Sequence, residues 1–278
     1  MSFIIEMFSY PFIVRAFIVG VLVSLCAALL GVSLVLKQYS MIGDGLSHVS
    51  YGALSIALAC NVAPLKVSIP VVIAAAFLLL RMTEKGLMKS DAAIAAVSAS
   101  ALAIGVSVTS LTTGMTTDVN SYMFGSILAM TKDDVILCVM LSCVVLALFI
   151  VSYHNIFAVT FDENFGRATG VKVSFYNSMI AILTAVTIVL GMQMMGAMLI
   201  SSLLIFPALT SMRLFKSFKG VIVTSAVLSV VCFTIGLVIS YQSAMPAGAS
   251  VVLANLGAFL VFFLLQKGKE LLGIHPAS

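Results

Sequence analysis

Phe12-Ile13-Val14-Arg15-Ala16-Phe17-Ile18-Val19-Gly20-Val21-Leu22-Val23-Ser24-Leu25-Cys26-Ala27-Ala28-Leu29-Leu30-Gly31-Val32-Ser33-Leu34-Val35-Leu36 is a run of 25 residues with one charge, Arg15. A helix needs about 20 apolar residues to cross a hydrocarbon core about 30 Å thick, so this run spans with residues to spare. A membrane-spanning strand alternates apolar and polar residues over about ten positions, so the continuous run excludes a transmembrane barrel.

Similar runs follow at 44–61, 65–82, 91–111, 134–153, 176–191, 196–212, 220–241 and 248–266. Across 278 residues the chain is 62% hydrophobic and 9% charged, with a mean hydropathy of +1.23. Soluble domains run nearer about 45–50% apolar and 25% charged. The reading is an all-α, polytopic transmembrane helix bundle, a single membrane domain over residues 1–278 with no room for a soluble catalytic domain. Only Met192, Gln193, Met194 and Met195 lie between Gly191 and Gly196, which fits a tight hairpin or one broken helix, so the spans number eight or nine.

The scarce charges set the orientation. With the N-terminus outside, the cytoplasmic segments collect Lys37, Arg81, Lys85, Lys89, Arg167, Lys172, Arg213, Lys216, Lys219, Lys267 and Lys269, eleven of the fourteen basic residues. Arg15, Lys66 and Lys132 fall outside, and Asp118, Asp133 and Asp134 give the longest outer loop an acidic cast. The Lys/Arg bias therefore predicts N-out and C-in. The net charge of +4 reports loop orientation, and nucleic acid is not an expected partner. Cys26, Cys60, Cys138, Cys143 and Cys232 lie within or beside apolar runs without a Cys-x-x-Cys pair and read as packing residues. The first run follows Glu6 with no basic stretch and no small-residue cleavage site, as expected of a retained span.

Two connections are more than links. Residues 112–133 include Asp118-Val119-Asn120-Ser121-Tyr122-Met123-Phe124-Gly125 and a short apolar stretch to Met130, which suggests a re-entrant or interfacial helix at the outer mouth. Residues 154–175 form the longest cytoplasmic loop. Within it, Asp162 can cap a short helix, Glu163 stands at the positive end of its dipole, Arg167 near the negative end, and Gly170 can take a left-handed C-terminal position. A solvated loop and a docking element for a cytosolic partner both remain open. The fourth run is nearly all small (Ala92, Ala93, Ala95, Ala96, Ser98, Ala99, Ser100, Ala101, Ala103, Gly105, Ser107), which predicts close packing inside the bundle or along a path through it.

Ionisable side chains inside spans cost roughly 2.5–3.5 kcal/mol each at the helix centre. The pair that matters is Asp44 and His48, in Gly43-Asp44-Gly45-Leu46-Ser47-His48-Val49-Ser50-Tyr51-Gly52-Ala53. A spacing of four puts carboxylate and imidazole on one helix face, with Tyr51 and Ser55 continuing the stripe. An Asp–His donor set suits zinc, manganese or ferrous iron and not copper(I). Two ligands are too few for a closed zinc site, which fits transport, where the ion must leave. A simple ion pair and a proton relay are the alternatives. On this topology Asp44 lies near the cytoplasmic end of its span, so the helix begins earlier or the pathway dips inward. His154 and His275 read as solvated, and Met192, Met194, Met195 and Met198 as core packing. Pro207 is expected to kink the seventh span, with Ser201 and Ser202 satisfying the freed carbonyls. The chain has no Gly-x-x-x-x-Gly-Lys-Ser/Thr phosphate loop, so any ATP-driven transport needs an ATPase on another chain.

The 43–50 motif, Phe161-Asp162-Glu163 through Gly170, the Pro207 region and Met245-Pro246-Ala247-Gly248-Ala249-Ser250, in this order over residues 12–266, together resemble the permease subunits of bacterial zinc/manganese ABC importers. The resemblance implies a homodimer in the bacterial plasma (inner) membrane, two cytosolic ATP-binding subunits, an extracytoplasmic metal-binding protein, and no permanently bound cofactor. It also implies that Asp44 and His48 lie on the metal pathway and that Asp162, Glu163, Arg167, Ala168 and Gly170 belong to a coupling helix. Gly166 stands where alanine is commoner, which softens that helix. The form Gly-Asp-Gly-Leu-Ser-His-Val-Ser-Tyr-Gly is similar to zinc-type members, whereas manganese-type members more often carry Leu-Pro-Gly soon after the histidine. The expected function is a permease for divalent transition metals, zinc before manganese, not itself an enzyme; the competing expectation is a proton-coupled secondary metal carrier.

Overall fold

A computed structural model of the chain describes residues 7–86, 88–112, 132–243 and 245–271, with the backbone alone for 194 and 268–271. The described residues are helical throughout, without strands. The helices are α1 (Pro11–Leu36), α2 (Ile42–Ala59), α3 (Pro64–Glu84), α4 (Ser90–Leu111), α5 (Lys132–Val151), α6 (Tyr153–Phe161), α7 (Glu163–Ala168), α8 (Val173–Met195), α9 (Ala197–Leu214), α10 (Phe218–Ser243) and α11 (Ala247–Leu271). Each of the nine apolar runs becomes one helix, with ends shifted by a few residues. The expected outer segment 112–133 lies almost wholly outside the described residues.

Eight of the helices are long and apolar enough to cross a membrane, and the exception of span length is α2, with 18 residues. Its polar residues have a physical shelter: α2 packs between α3, α4, α8 and α9 and buries Gly43, Gly45, Ser47, Ser50, Gly52 and Ser55. A polar helix is tolerated at membrane depth where protein, not lipid, covers it. The ambiguity between eight and nine spans thus falls on α2 and not on the Gly191–Gly196 break.

That break is a hairpin. Gly196 has φ +89° and ψ 160°, a conformation that is essentially glycine's alone. A Cβ on Gly191 would meet Ile200 Cδ1 at 2.5 Å, an approach impossible along one straight helix, where nine residues span about 13 Å. α10 runs antiparallel to α1, with Ser225 donating to the Ala28 carbonyl at 3.3 Å and Ser229 to that of Ser24 at 3.0 Å.

α2 and α4 run side by side in the same direction. Gly45 faces Ile94, a Cβ on Gly52 would meet the Ala101 carbonyl oxygen at 2.7 Å, and one on Gly105 would meet the Tyr51 ring at 2.8 Å. The small residues of α4 serve this close seam on one side only. Ala93, Ile94, Gly105 and Thr109 are buried, whereas Ala92, Ala95, Ala96, Ala99, Ala103 and Ser107 are exposed. Of the two expectations for α4, burial inside the bundle holds for one face only, and the other face is exposed.

Pro207 lies inside α9 and leaves the Leu203 carbonyl without its helical donor. The serines do not fill that vacancy, since Ser201 donates to Ala197 at 3.3 Å and Ser202 to Leu199 at 2.9 Å. Each hydroxyl reaches only the turn before it. Met192 and Met195 are buried as expected, but Met198 is exposed.

Candidate metal site and coupling element

α2 begins at Ile42, which places Asp44 in its first turn and His48 one turn on. His48 Nε2 stands 3.6 Å from Asp44 Oδ2, too far for a hydrogen bond. The separation is that of an ion pair and is also close to the roughly 3.4 Å between two ligands sharing a tetrahedral ion at bonds of about 2.0–2.2 Å. Asp44 is half exposed at 49% and His48 mostly covered at 21%. His48 Nδ1 is buried with no hydrogen-bond partner, so no described residue dictates the ring's tautomer. Among the described residues no group of three or more His, Cys, Asp or Glu converges on an ion position. Among the described residues Asp44 and His48 are the candidate pair.

Asp44 opens on a groove of about 580 Å³ bordered by Met198, Ser201, Ser202 and Phe206 of α9 and by Ala249, Val252 and Leu253 of α11. Lys37 at the end of α1, Glu84 at the end of α3 and Asn177 at the start of α8 meet at one end of the bundle. α9 returns to that end, where Arg213 donates to Gln266 of α11 at 3.2 Å. Leu253 is thirteen residues before Gln266, about 20 Å along the helix. Asp44 itself stands nearer that end: Gly45 faces Ile94, four residues into α4, and Gly43 faces Leu204, which Gly31 also meets five residues before the end of α1. Of the two resolutions left open by the sequence, the earlier start is seen: α2 begins at Ile42, two residues before the expected 44.

The stripe above Asp44 and His48 does not stay open. Tyr51 packs on Gly105, and Ser55 accepts a hydrogen bond from Thr109 Oγ1 at 3.2 Å. α4 thus seals the upper half of the face that the spacing of residues 44, 48, 51 and 55 brings together. His154 is exposed, edge-on to Tyr153, while His275 lies outside the described residues.

The loop after α5 holds two helices where the sequence signalled one. α6 carries no cap or breaker of its own and so gave no sign. α7 follows its punctuation closely: Asp162 Oδ1 accepts from the backbone N–H of Asn164 at 2.9 Å and of Phe165 at 3.0 Å. At the other end Val171 N–H bonds the Gly166 carbonyl at 2.9 Å and Gly170 N–H that of Arg167 at 3.1 Å, with Gly170 at φ +84°, a Schellman stop. Arg167, Ala168 and Gly170 are exposed, as are Phe161 at 57% and Phe165 at 62%. Asp162→Ala is expected to cost about 1 kcal/mol of local helix stability, read as faster hydrogen exchange at Asn164 and Phe165; unchanged exchange would contradict the capping role.

Glu163 also reaches the spans. Its Oε1 accepts from Lys37 Nζ at 2.7 Å and from Asn177 Nδ2 at 3.1 Å, and Asn177 Nδ2 also reaches Glu84 at 3.3 Å. Arg167 stands 3.9 Å from the other oxygen. Burial pushes the Glu163 carboxyl up, but the bonds from Lys37 and Asn177 outweigh it and hold the group below its ordinary value. The stabilisation from this ionised form is complete above the ordinary carboxylate range and is lost as pH falls through the lowered value, so the contact persists at neutral pH. Lys37 had counted only toward orientation, and Asn177, an amide inside an expected span, was the overlooked signal.

A family model described as the ABC 3 transport family matches residues 9–266. The manganese import system permease protein ScaB of Streptococcus gordonii is 29% identical over 97% of this chain and 97% of its own length. The high-affinity zinc uptake system membrane protein ZnuB of Buchnera aphidicola is 28% identical over 88% of this chain and 94% of its own. Among solved structures, PsaBC from Streptococcus pneumoniae, in complex with Fab, superposes with a TM-score of 0.85 at 27% identity, covering 97% of this chain and 98% of that one.

Proposed function

Since the chain belongs to the ABC 3 transport family, we propose that it is the multi-pass permease subunit of an ATP-driven importer of divalent transition metals in the bacterial inner membrane, with zinc preferred to manganese. The observation that carries this reading is the Asp44–His48 separation of 3.6 Å beside an open groove between α9 and α11. Relatives named for manganese and for zinc both match over most of their length. The motif's zinc-type form favours zinc, and a carboxylate with an imidazole accommodates either ion.

The metal is cargo, so a site of few ligands is an advantage, since the ion has to leave. The exposed small-residue face of α4, with Ala92, Ala95, Ala96, Ala99, Ala103 and Ser107, supports close docking of a second copy in a homodimer. The Lys/Arg distribution supports N-out and C-in, placing residues 112–133 where an extracytoplasmic metal-binding protein delivers the ion and residues 154–175 against cytosolic ATP-binding subunits. Asp162, Glu163, Arg167, Ala168 and Gly170 shape the element that transmits ATP hydrolysis, which is carried by a separate chain.

Reconstitution of the permease with its ATP-binding subunits in proteoliposomes tests this reading. ATP-dependent accumulation of zinc in preference to manganese is the expected result. Uptake without ATP that collapses with the proton gradient would instead establish a secondary carrier, and a manganese preference would overturn the choice of ion alone.

A further inference from the structure

We propose that Lys37, Glu163 and Asn177 form an internal latch tying α7 to the α1–α2 corner, so that Glu163 is a positioning residue for the metal-bearing helix. The inference rests on the permease reading above and specifies how the motion of α7 reaches Asp44 and His48.

Glu163 is the first residue of α7; its side chain is 40% exposed, with one oxygen 3.9 Å from Arg167 on the outer face and the other directed to the spans. One carboxylate oxygen is occupied by two donors from the spans, Lys37 at 2.7 Å and Asn177 at 3.1 Å. Lys37 caps α1 and precedes Asp44 by seven residues, through a corner tightened by the Tyr39 N–H to Leu34 carbonyl bond at 2.8 Å and the Ile42 N–H to Tyr39 carbonyl bond at 3.0 Å. A pull on Glu163 is therefore delivered to the residues that start α2, with no other helix between. Asn177 spreads the same pull to α8 and, through Glu84, to α3.

The surroundings make the pair act as a unit. Lys37 is 11% exposed in a cavity of about 170 Å³ with Leu34, Ile42, Leu80 and Ile180 on its walls. A covered ammonium needs its counter-charge, and Glu84 lines the same cavity, so drawing α7 off makes Lys37 follow Glu163 or re-pair with Glu84. The cavity supplies the room in which that movement takes place. Distance alone does not establish coupling; the test is non-additivity between the two partners.

In proteoliposomes holding the permease with its ATP-binding subunits, metal ions transported per ATP hydrolysed are measured for the wild type, Lys37→Met, Glu163→Gln, the double variant, and Lys37→Arg. A latch predicts a ratio about tenfold lower in each neutralised single variant, no further fall in the double, and a ratio near wild type in Lys37→Arg. A purely structural role lowers the yield of complex and leaves the ratio alone. Wild-type ratios in the single variants, or effects that multiply in the double, overturn the latch. Should Lys37→Met not assemble, Glu163→Gln carries the test, because its side chain keeps the native size. A wild-type complex that moves no metal on ATP overturns the permease reading itself, an outcome distinct from a coupled wild type matched by Glu163→Gln.

Discussion

Asp44→Ala and His48→Ala are each expected to reduce metal uptake by on the order of 100-fold, since losing one of so few ligands exceeds the 10- to 100-fold cost of losing an outer-shell partner. The structure gives the reason for so steep a loss. No third His, Cys, Asp or Glu among the described residues stands ready to replace either group, and Ser201 and Ser202 are engaged with the carbonyls of their own helix. Metal accumulation in cells, normalised to the amount of permease in the membrane, is the measurement. Wild-type uptake by either variant at normal expression would remove Asp44 and His48 from the pathway.

The largest expected effect on stability falls on Gly31. A Cβ there would stand 2.0 Å from the Leu204 carbonyl oxygen and 2.9 Å from its carbonyl carbon. The obstacle is backbone, so no side chain can swing aside, and α1 and α9 must separate. Gly31→Ala is expected to cost about 3 kcal/mol, the upper part of the usual range for overpacking, seen as a lower unfolding temperature in detergent. Gly257→Ala in α11 is the control, because a Cβ there meets nothing within 4 Å, and gains about 0.5–1 kcal/mol from helix propensity. Equal stability of the two variants would show that α1 and α9 are not clamped as described. The clamp bears on the site as well, since Leu204 also packs against Gly43, one residue before Asp44.

Much of this was legible in the residues. Long apolar runs have one stable form in a bilayer, so each became a helix within a few residues of its expected ends. Asp162 and Gly170 marked both ends of α7 because capping is local chemistry. The failures share a cause as well. Ser201, Ser202 and Met198 gave no sign of bordering the same groove as Asp44, since they are some 150 residues away and meet it only through the packing of α9 against α2. The exposed face of α4 was not foreseen because small residues predict close contact without saying with what.

Sequence alone therefore determined the class of protein, its span boundaries, the Asp44–His48 motif and the capped helix α7, all of which depend on neighbours a few residues apart. Tertiary structure decided that α2 is the sheltered polar span, that Asp44 opens on a groove built by α9 and α11, and that Glu163 bonds Lys37 and Asn177. In a membrane helix nearly every face is apolar, and lipid tails are as apolar as leucine, so periodicity cannot tell the face turned to lipid from the face turned to protein. Only the packed bundle makes that distinction.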